Sequence, residues 1–330
     1  MPFLTGGRRG DGLGSRVCFL TFHRVATPQE WAGLPDRGFY LVDDVLDAAL
    51  SFLKRTGWRV VTVEEALRRV RAGDRGRYAN ISIDDTYRDT WERAVPLFRK
   101  HDMPVTLFVT SGIPDRTCTL WSVGLETIIA ECDEILVEDG ADRRVASARG
   151  WQEKRALFLE LREAWERRDP AAEYERFCQS NGYRSSALHE RHMMDWDMLS
   201  TLARDPHVEI GAHTITHPRI SGIDATAALR ELAGSRARLE QRLGLPVRHF
   251  AFPYGRSADC GPRDFALAKA AGFASAATTC KGVVWTKRGG GMDPYRLPRN
   301  TLNGEHRGTL ALQAHLTGLS GVAASVMGRR

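Results

Sequence analysis

Short apolar runs alternate with amphipathic segments along most of the chain. The apolar runs are typical of buried strands, and segments with apolar residues three and four apart are typical of helices. Predicted strands occupy residues 17–22, 58–63, 78–83, 104–110, 208–212, 247–252, 273–278 and 295–300. Predicted helices occupy residues 43–55, 64–72, 90–101, 224–243 and 262–271. Strand followed by helix predicts parallel strands joined by crossover helices, which is an α/β fold.

One long segment, 118–205, interrupts this alternation. Its periodicity is mostly helical, with predicted helices at 121–133, 152–168, 171–179 and 195–203. An insertion of this length serves either as a lid or substrate wall, or only for packing. We therefore predict a flexible N-terminus over 1–16, one domain over 17–305 that includes the insertion, and a C-terminal tail over 306–330. A helix is expected in the tail from residue 310.

The composition limits the functional classes. The 330 residues are 42% hydrophobic and 27% charged, as in ordinary globular proteins, and the net charge is +6. The arginines are interspersed with acidic residues, so no nucleic-acid partner is predicted, although an anionic surface remains a possible contact. The six cysteines form no CxxC pair and are expected to be reduced. No signal-type or membrane-spanning apolar run is present, which predicts a cytoplasmic location.

Polar residues follow several of the predicted strands. His23, the pair Asp84-Asp85, His213 and Tyr254 each stand just past the carboxyl end of a strand. In barrels of alternating strand and helix, catalytic groups collect at that end. An Asp pair alone is also a common start of a helix. The prediction of a catalytic site therefore rests on the agreement of four strand ends and not on the Asp pair.

The segment His213-Thr214-Ile215-Thr216-His217 suggests a metal site. Histidines four apart can lie on one face of a helical turn and bind one ion. Two imidazoles and one carboxylate of the acidic pair would leave a position open for water, which is the catalytic zinc pattern. The expected cofactor is a divalent metal, Zn²⁺ first, with Co²⁺ or Ni²⁺ as alternatives.

Three motifs together resemble the polysaccharide deacetylase family, also called carbohydrate esterase family 4 or the NodB homology domain. Ser82-Ile83-Asp84-Asp85 resembles its threonine-phenylalanine-Asp-Asp motif. The segment 213–217 matches its His-Ser/Thr-x-x-His motif, and Pro253-Tyr254-Gly255 matches the end of its third motif. The resemblance spans about residues 17–300 and implies a distorted (β/α)₇ barrel, here with a helical insertion.

The resemblance also implies roles for individual residues. It makes Asp84 the general base, and it makes Asp85, His213 and His217 the metal ligands. Tyr254 would contribute a backbone N–H to the oxyanion hole. The implied reaction is hydrolysis of an N-acetyl group on an amino sugar.

Two departures from the family pattern affect these roles. Ala251 stands where the family has an arginine that orients the base, and Arg296 or Arg299 is a candidate replacement. The late leucine-histidine motif that supplies the acid is missing. Phe22-His23-Arg24-Val25 resembles a family variant with an N-terminal acid histidine, so His23 is expected to protonate the leaving amine.

These observations predict a metal-dependent deacetylase of an N-acetylated amino sugar in a polysaccharide, oligosaccharide or glycan precursor. The expected substrate is a lipid-linked or nucleotide-linked sugar instead of mature wall polymer. A lipid-linked substrate would bring peripheral membrane contact. Three alternatives remain: an amino-sugar deformylase, a ring amidohydrolase of the same fold, and an inactive glycan-binding relative. The oligomeric state cannot be read from the sequence.

Overall fold

A computed structural model of the protein describes residues 16–139, 142–286, 292–304 and 309–321. Its strands are β1 Arg16–Phe22, β2 Arg24–Ala26, β3 Tyr40–Val42, β4 Arg59–Val60, β5 Arg77–Asp84, β6 Val105–Val109, β7 Glu134–Asp139, β8 Asp142–Ser147, β9 Val208–Ala212, β10 His249–Ala251, β11 Ser275–Ala277, β12 Val284–Trp285 and β13 Asn300–Thr301. Its helices are α1 Pro28–Gly33, α2 Asp43–Arg55, α3 Val63–Ala72, α4 Val95–His101, α5 Trp121–Glu131, α6 Trp151–Glu166, α7 Pro170–Ser180, α8 Ser185–His192, α9 Trp196–Leu202, α10 Ala225–Leu243, α11 Pro262–Ala270 and α12 Thr309–Thr317.

The main sheet is parallel except for β12, and it closes on itself. Its strands lie in the order β11, β10, β9, β6, β5, β1, with β4 beside β5 and the antiparallel β12 beside β1. Leu297 bridges to Ala277 of β11, and β13, which follows it, pairs in parallel with β1. Residues 297–301 thus complete a ring of seven parallel segments. This confirms the distorted (β/α)₇ barrel.

Alternation along the strands decides what faces the barrel interior. On β1, Val17 and Phe19 belong to the inner core, whereas Cys18 and Leu20 pack beneath the surrounding helices. On β5, Tyr78 faces inward with the same period. The inner face of β5 therefore continues through three polar residues, Asn80, Ser82 and Asp84, toward the carboxyl end of the barrel.

The segment after β1 differs from the prediction. The prolines and glycines of residues 25–41 predict a loop, and that prediction is wrong. Pro28 instead occupies the first turn of α1, where a missing N–H costs no hydrogen bond, and Thr27 with Glu30 forms a capping box. β2 and β3 flank this helix and pair in parallel.

The helix predicted over 90–101 is also interrupted. Thr90–Ala94 is a π-helical turn that leads into α4, and Pro96 stands in the first turn of α4. Proline cannot donate a backbone hydrogen bond, which accounts for the widened turn before it.

The insertion has a core of its own. Leu125, Phe158, Trp165 and Phe177 are among the buried residues that join α5, α6, α7 and α8. The antiparallel hairpin of β7 and β8 was not predicted, and neither was α8. The domain boundaries at 17, 118, 205 and 305 stay a prediction.

Two further features concern the chain as a whole. In the tail, α12 occupies part of the predicted helix, and residues 322–330 lie outside the described part. Among the described residues, no helix has the length and apolar character needed to cross a bilayer.

Candidate active site

Asp84 ends β5 on its inner face and forms a buried ion pair with Arg299. The guanidinium donates to both carboxylate oxygens, at 2.6 Å and 2.7 Å. Arg299 also donates to the hydroxyls of Ser82 and Thr21 and, through Nε, to the carbonyl of Thr278. These contacts hold the orientation of the Asp84 carboxylate.

Both charges of this pair are almost completely buried, with Arg299 and Asp84 exposing 1% and 2% of their surfaces. Burial alone would raise the pKa of Asp84, but the charge of Arg299, helped by His213 and His23, lowers it below its ordinary value. Of the two candidate arginines, Arg299 lies on Asp84, whereas Arg296 is exposed. Asp84 is therefore a carboxylate that accepts hydrogen bonds.

Asp85, His213 and His217 come together beside this pair. The Nε2 atoms of His217 and His213 lie 3.2 Å and 3.6 Å from Oδ1 of Asp85. One ligand atom from each residue lies within 4.8 Å of the other two, and no other such group of His, Cys, Asp or Glu occurs among the described residues. The three residues predicted as metal ligands are thus adjacent in space.

The donor atoms suit a divalent cation. Oδ1 of Asp85 is buried and makes no hydrogen bond with the described residues. Nδ1 of His213 lies 2.7 Å from the carbonyl oxygen of Ala251. A carbonyl only accepts, so Nδ1 carries the proton and Nε2 presents its lone pair to the cluster. Ala251, which replaces the family's arginine, contributes its backbone to this contact.

The protonation states also suit metal binding. Burial on its own would raise the pKa of Asp85, but the neighbouring imidazoles of His217, His23 and His213 lower it. Burial lowers the pKa of His213 to about 4, against the opposing effect of Asp84. A carboxylate and a neutral imidazole are the forms that coordinate a metal.

The segment that carries the two histidines is a loop, and its predicted helical turn is wrong. Thr214 and His217 have φ angles of 69° and 59°, which a right-handed helix does not allow. The Thr214 hydroxyl accepts a hydrogen bond from the backbone N–H of His217, and Glu231 accepts from the N–H groups of Ile215 and Thr216. Side-chain caps therefore shape this loop.

Strained backbone is concentrated here. Among the described residues, six other than glycine have positive φ, and four of them are Asp85, Thr214, His217 and Tyr254. Each such conformation costs about 1–3 kcal/mol and persists only where surrounding contacts impose it. Such a concentration of strained backbone is typical of functional sites.

Tyr254 and His23 complete the predicted set. The Tyr254 ring lies 5.2 Å from the His217 ring, and among the described residues no acceptor contacts its backbone N–H. The His23 ring stacks on Phe39 with centroids 4.5 Å apart. His23 also lies close enough to Asp84 and Asp85 to lower the pKa of each.

Comparison with known proteins places the chain in a family. The sequence profile described as polysaccharide deacetylase matches residues 72–274, which is more than half of the chain. The chain belongs to the polysaccharide deacetylase family. It is therefore a hydrolase that acts on carbon–nitrogen bonds other than peptide bonds. None of the curated proteins matches it.

Solved structures show the same deacetylase fold at low sequence identity. The deacetylase PplD of Streptococcus pyogenes, in complex with acetate, is similar with a TM-score of 0.59, 15% identity and coverage of 91% of this chain and 98% of its own. A de-N-acetylase from Aggregatibacter actinomycetemcomitans is similar with a TM-score of 0.58 and 13% identity, and the match covers 91% of this chain and 99% of its own. IcaB from Ammonifex degensii is similar with a TM-score of 0.54 and 17% identity, and the match covers 91% of this chain and 97% of its own.

Two residues of this candidate site were not singled out from the sequence. Glu231 lies on α10 and holds the histidine loop, although its helical context resembles that of any solvated glutamate. Tyr87 is buried beside Asp85, and burial and the Asp85 charge raise its pKa. Its position two residues after the acidic pair was the only available signal.

Proposed function

We propose that the chain is a metal-dependent deacetylase that removes an N-acetyl, or similarly small N-acyl, group from an amino sugar. One observation carries the proposal: the unused Oδ1 of Asp85 and the Nε2 atoms of His213 and His217 converge beside a carboxylate fixed by Arg299. Family members generally depend on a divalent metal. The residues present fit that requirement.

Asp85, His213 and His217 would hold the cation. When bound, it supplies Lewis-acid chemistry, polarising an acyl oxygen and acidifying water. Two nitrogen ligands and one oxygen ligand favour Zn²⁺, and Co²⁺ and Ni²⁺ accept the same donors.

Asp84 acts as the general base. Its lowered pKa keeps the carboxylate ionised, and the two hydrogen bonds from Arg299 fix its direction. It accepts a proton from the water whose oxygen forms the new bond to the acyl carbon. Arg299 thus performs the orienting role of the arginine that the family has in place of Ala251.

Tyr254 and His23 serve the two halves of the reaction, the addition of water and the release of the amine. The Tyr254 N–H donates to the acyl oxygen as negative charge develops on it. His23 gives a proton to the amine nitrogen as the carbon–nitrogen bond breaks, which releases acetate and the free amino sugar. Its position near both aspartates supports this assignment.

The proposed substrate is an N-acetylated amino sugar in a polysaccharide, oligosaccharide or glycan precursor. The family and the similarity to proteins described as deacetylases and a de-N-acetylase support the acetyl group. Lipid-linked and nucleotide-linked sugars are included because the sequence prediction favours a precursor.

The test is to load the purified chain with zinc, cobalt or nickel and to measure acetate released from N-acetylated oligosaccharides and precursors. We expect acetate release that requires both the metal and Asp84. Formate from N-formyl sugars or an opened ring from a cyclic amide would instead identify a deformylase or a ring amidohydrolase. Metal binding without any turnover would identify a binding protein and contradict the proposal.

A further inference from the structure

The loop that carries the oxyanion donor has an uncommon backbone. Tyr254 and Gly255 both adopt left-handed conformations, with φ of 61° and 70°. Such a conformation is readily adopted by glycine, but a residue with a Cβ keeps it only where other contacts impose it. The φ and ψ angles of Tyr254 relate the peptide plane that carries its N–H to the peptide plane that carries its carbonyl. Contacts that fix the carbonyl side in the left-handed form therefore help to set where the N–H points.

Thr279 contacts both of these residues. Its hydroxyl donates to the carbonyl oxygen of Tyr254 at 2.7 Å, and its backbone N–H donates to the carbonyl of Gly255 at 2.8 Å. A Cβ placed on Gly255 would come within 2.8 Å of the Thr279 nitrogen. Thr279 therefore contacts the backbone of both left-handed residues, Tyr254 and Gly255.

The segment around Thr279 is held on its other side by the arginine that orients the base. The carbonyl of Thr278 accepts from Nε of Arg299 at 3.0 Å, and the carbonyl of Cys280 accepts from the Arg299 backbone N–H at 3.0 Å. Residues 278–280 thus join the Asp84–Arg299 pair to the Tyr254 loop. Within the described part of the chain, Thr279 itself makes no hydrogen bond to the Asp84 carboxylate or to the three residues that would bind the metal.

We infer that Thr279 is a positioning residue, whose hydroxyl fixes Tyr254 in the left-handed conformation that presents its N–H to the reacting acyl oxygen. The inference rests on the proposed function and extends it. The Thr279 hydroxyl positions the Tyr254 N–H, which matters most in the transition state. Loss of this hydroxyl therefore changes kcat more than KM.

The test compares Thr279→Val with Thr279→Ser. Valine keeps the size and the backbone N–H of the residue but removes the hydroxyl, whereas serine keeps the hydroxyl. Thr56→Val is a matched control, because the Thr56 hydroxyl also donates to a backbone carbonyl at 2.7 Å, at the end of α2.

We expect kcat of Thr279→Val to fall about tenfold, part of the hundredfold or more that loss of an oxyanion donor costs. KM should change less than about twofold, and Thr279→Ser should recover most of kcat. Metal content should be unchanged in both variants, and Thr56→Val should behave as the wild type. An unchanged kcat in Thr279→Val, or equal losses in the valine and serine variants, would overturn the inference.

Amide hydrogen exchange at residues 254–256 provides a readout that does not need a substrate. Exchange there should be faster in Thr279→Val than in the wild type and in Thr279→Ser. Equal exchange in the three proteins would refute the inference even if the enzyme is active. If the wild type releases no acetate, the proposed function fails, and exchange alone decides whether Thr279 holds the loop.

Discussion

The barrel has a histidine–carboxylate cluster at each end. The two clusters differ in the hydrogen bonds that their carboxylates accept and in whether three ligand atoms converge. At the carboxyl end, Asp85 Oδ1 lies 3.2 Å and 3.6 Å from the Nε2 atoms of His217 and His213. At the amino end of β9 and β10, Nε2 of His249 lies 3.2 Å from Glu64 and 3.6 Å from Glu209. Pairwise distances alone do not distinguish the two clusters.

The partners of the carboxylates do distinguish them. Glu209 accepts hydrogen bonds from the N–H groups of Val63 and Glu64 and from the Thr106 hydroxyl, so it caps α3. Asp85 Oδ1 has no such partner, and Oε2 of Glu64 and Nε2 of His249 at the amino end are likewise buried without a hydrogen bond. Only the Asp85 cluster, however, brings three ligand atoms within 4.8 Å of one another in the described part of the chain. A metal site therefore requires unused donors that converge, and the amino-end cluster is a structural network.

The largest expected effect comes from removing a ligand at the carboxyl end. His213→Ala or His217→Ala should lose the bound metal and at least about a thousandfold in kcat/KM, because several kcal/mol of transition-state stabilisation depend on the ion. Metal analysis and acetate release measure both losses. His249→Ala is the control at the other end and should keep the metal; loss of metal in that variant would contradict the comparison.

The next effect separates metal binding from base catalysis. Asp84→Asn should keep a full complement of metal while activity falls by about a hundredfold to ten-thousandfold, because general base catalysis contributes that much to the rate. Asp84 does not belong to the group of three converging donors. Full activity in Asp84→Asn would remove its assignment as the base.

The sequence located six barrel strands, β1, β5, β6, β9, β10 and β11, to within two residues at each end, because alternation and apolar runs are local properties. The strand predicted over 58–63 is shorter, since β4 covers only Arg59–Val60. The spacing of His213 and His217 indicated a metal site, the family resemblance added Asp85 to it, and the structure places the three residues together. The sequence could not choose between Arg296 and Arg299, because that choice depends on where residues 297–301 close the barrel against β1. The roles assigned to these residues and the cytoplasmic location stay predictions.

Other features depended on contacts that no local pattern contains. The histidine loop was predicted as a helical turn. Glu231, which lies on the following helix α10, instead accepts from its backbone, and Thr214 and His217 adopt left-handed conformations. The hairpin of β7 and β8 was missed because it packs on the separate core of the insertion. Tertiary contacts override local preference in both places.

A smaller effect is expected at the amino end. Glu209→Ala leaves the N–H groups of Val63 and Glu64 without their acceptor, so the free energy of unfolding should fall by about 1–3 kcal/mol. Denaturant unfolding measures this change. Metal content should not change, and a metal-depleted variant would show that the two ends are not independent.

The smallest effect concerns pH. Burial lowers the pKa of His249 from its ordinary 6.5, so below pH 6.5 the unfolded chain binds a proton that the folded chain does not. The stability contributed by neutral His249 is therefore present above pH 6.5 and is lost as the pH falls below it, by at most about 1.4 kcal/mol per pH unit. His249→Gln should flatten this part of the stability curve, as unfolding from pH 7.5 to 5.5 would show. An unchanged slope would contradict it.

The most direct measurement is anomalous X-ray diffraction from zinc-loaded crystals, collected on both sides of the zinc absorption edge. One strong anomalous peak should lie among Oδ1 of Asp85 and the Nε2 atoms of His213 and His217, with none beside His249. A peak at His249, or no peak at Asp85 although zinc is bound in solution, would contradict the account.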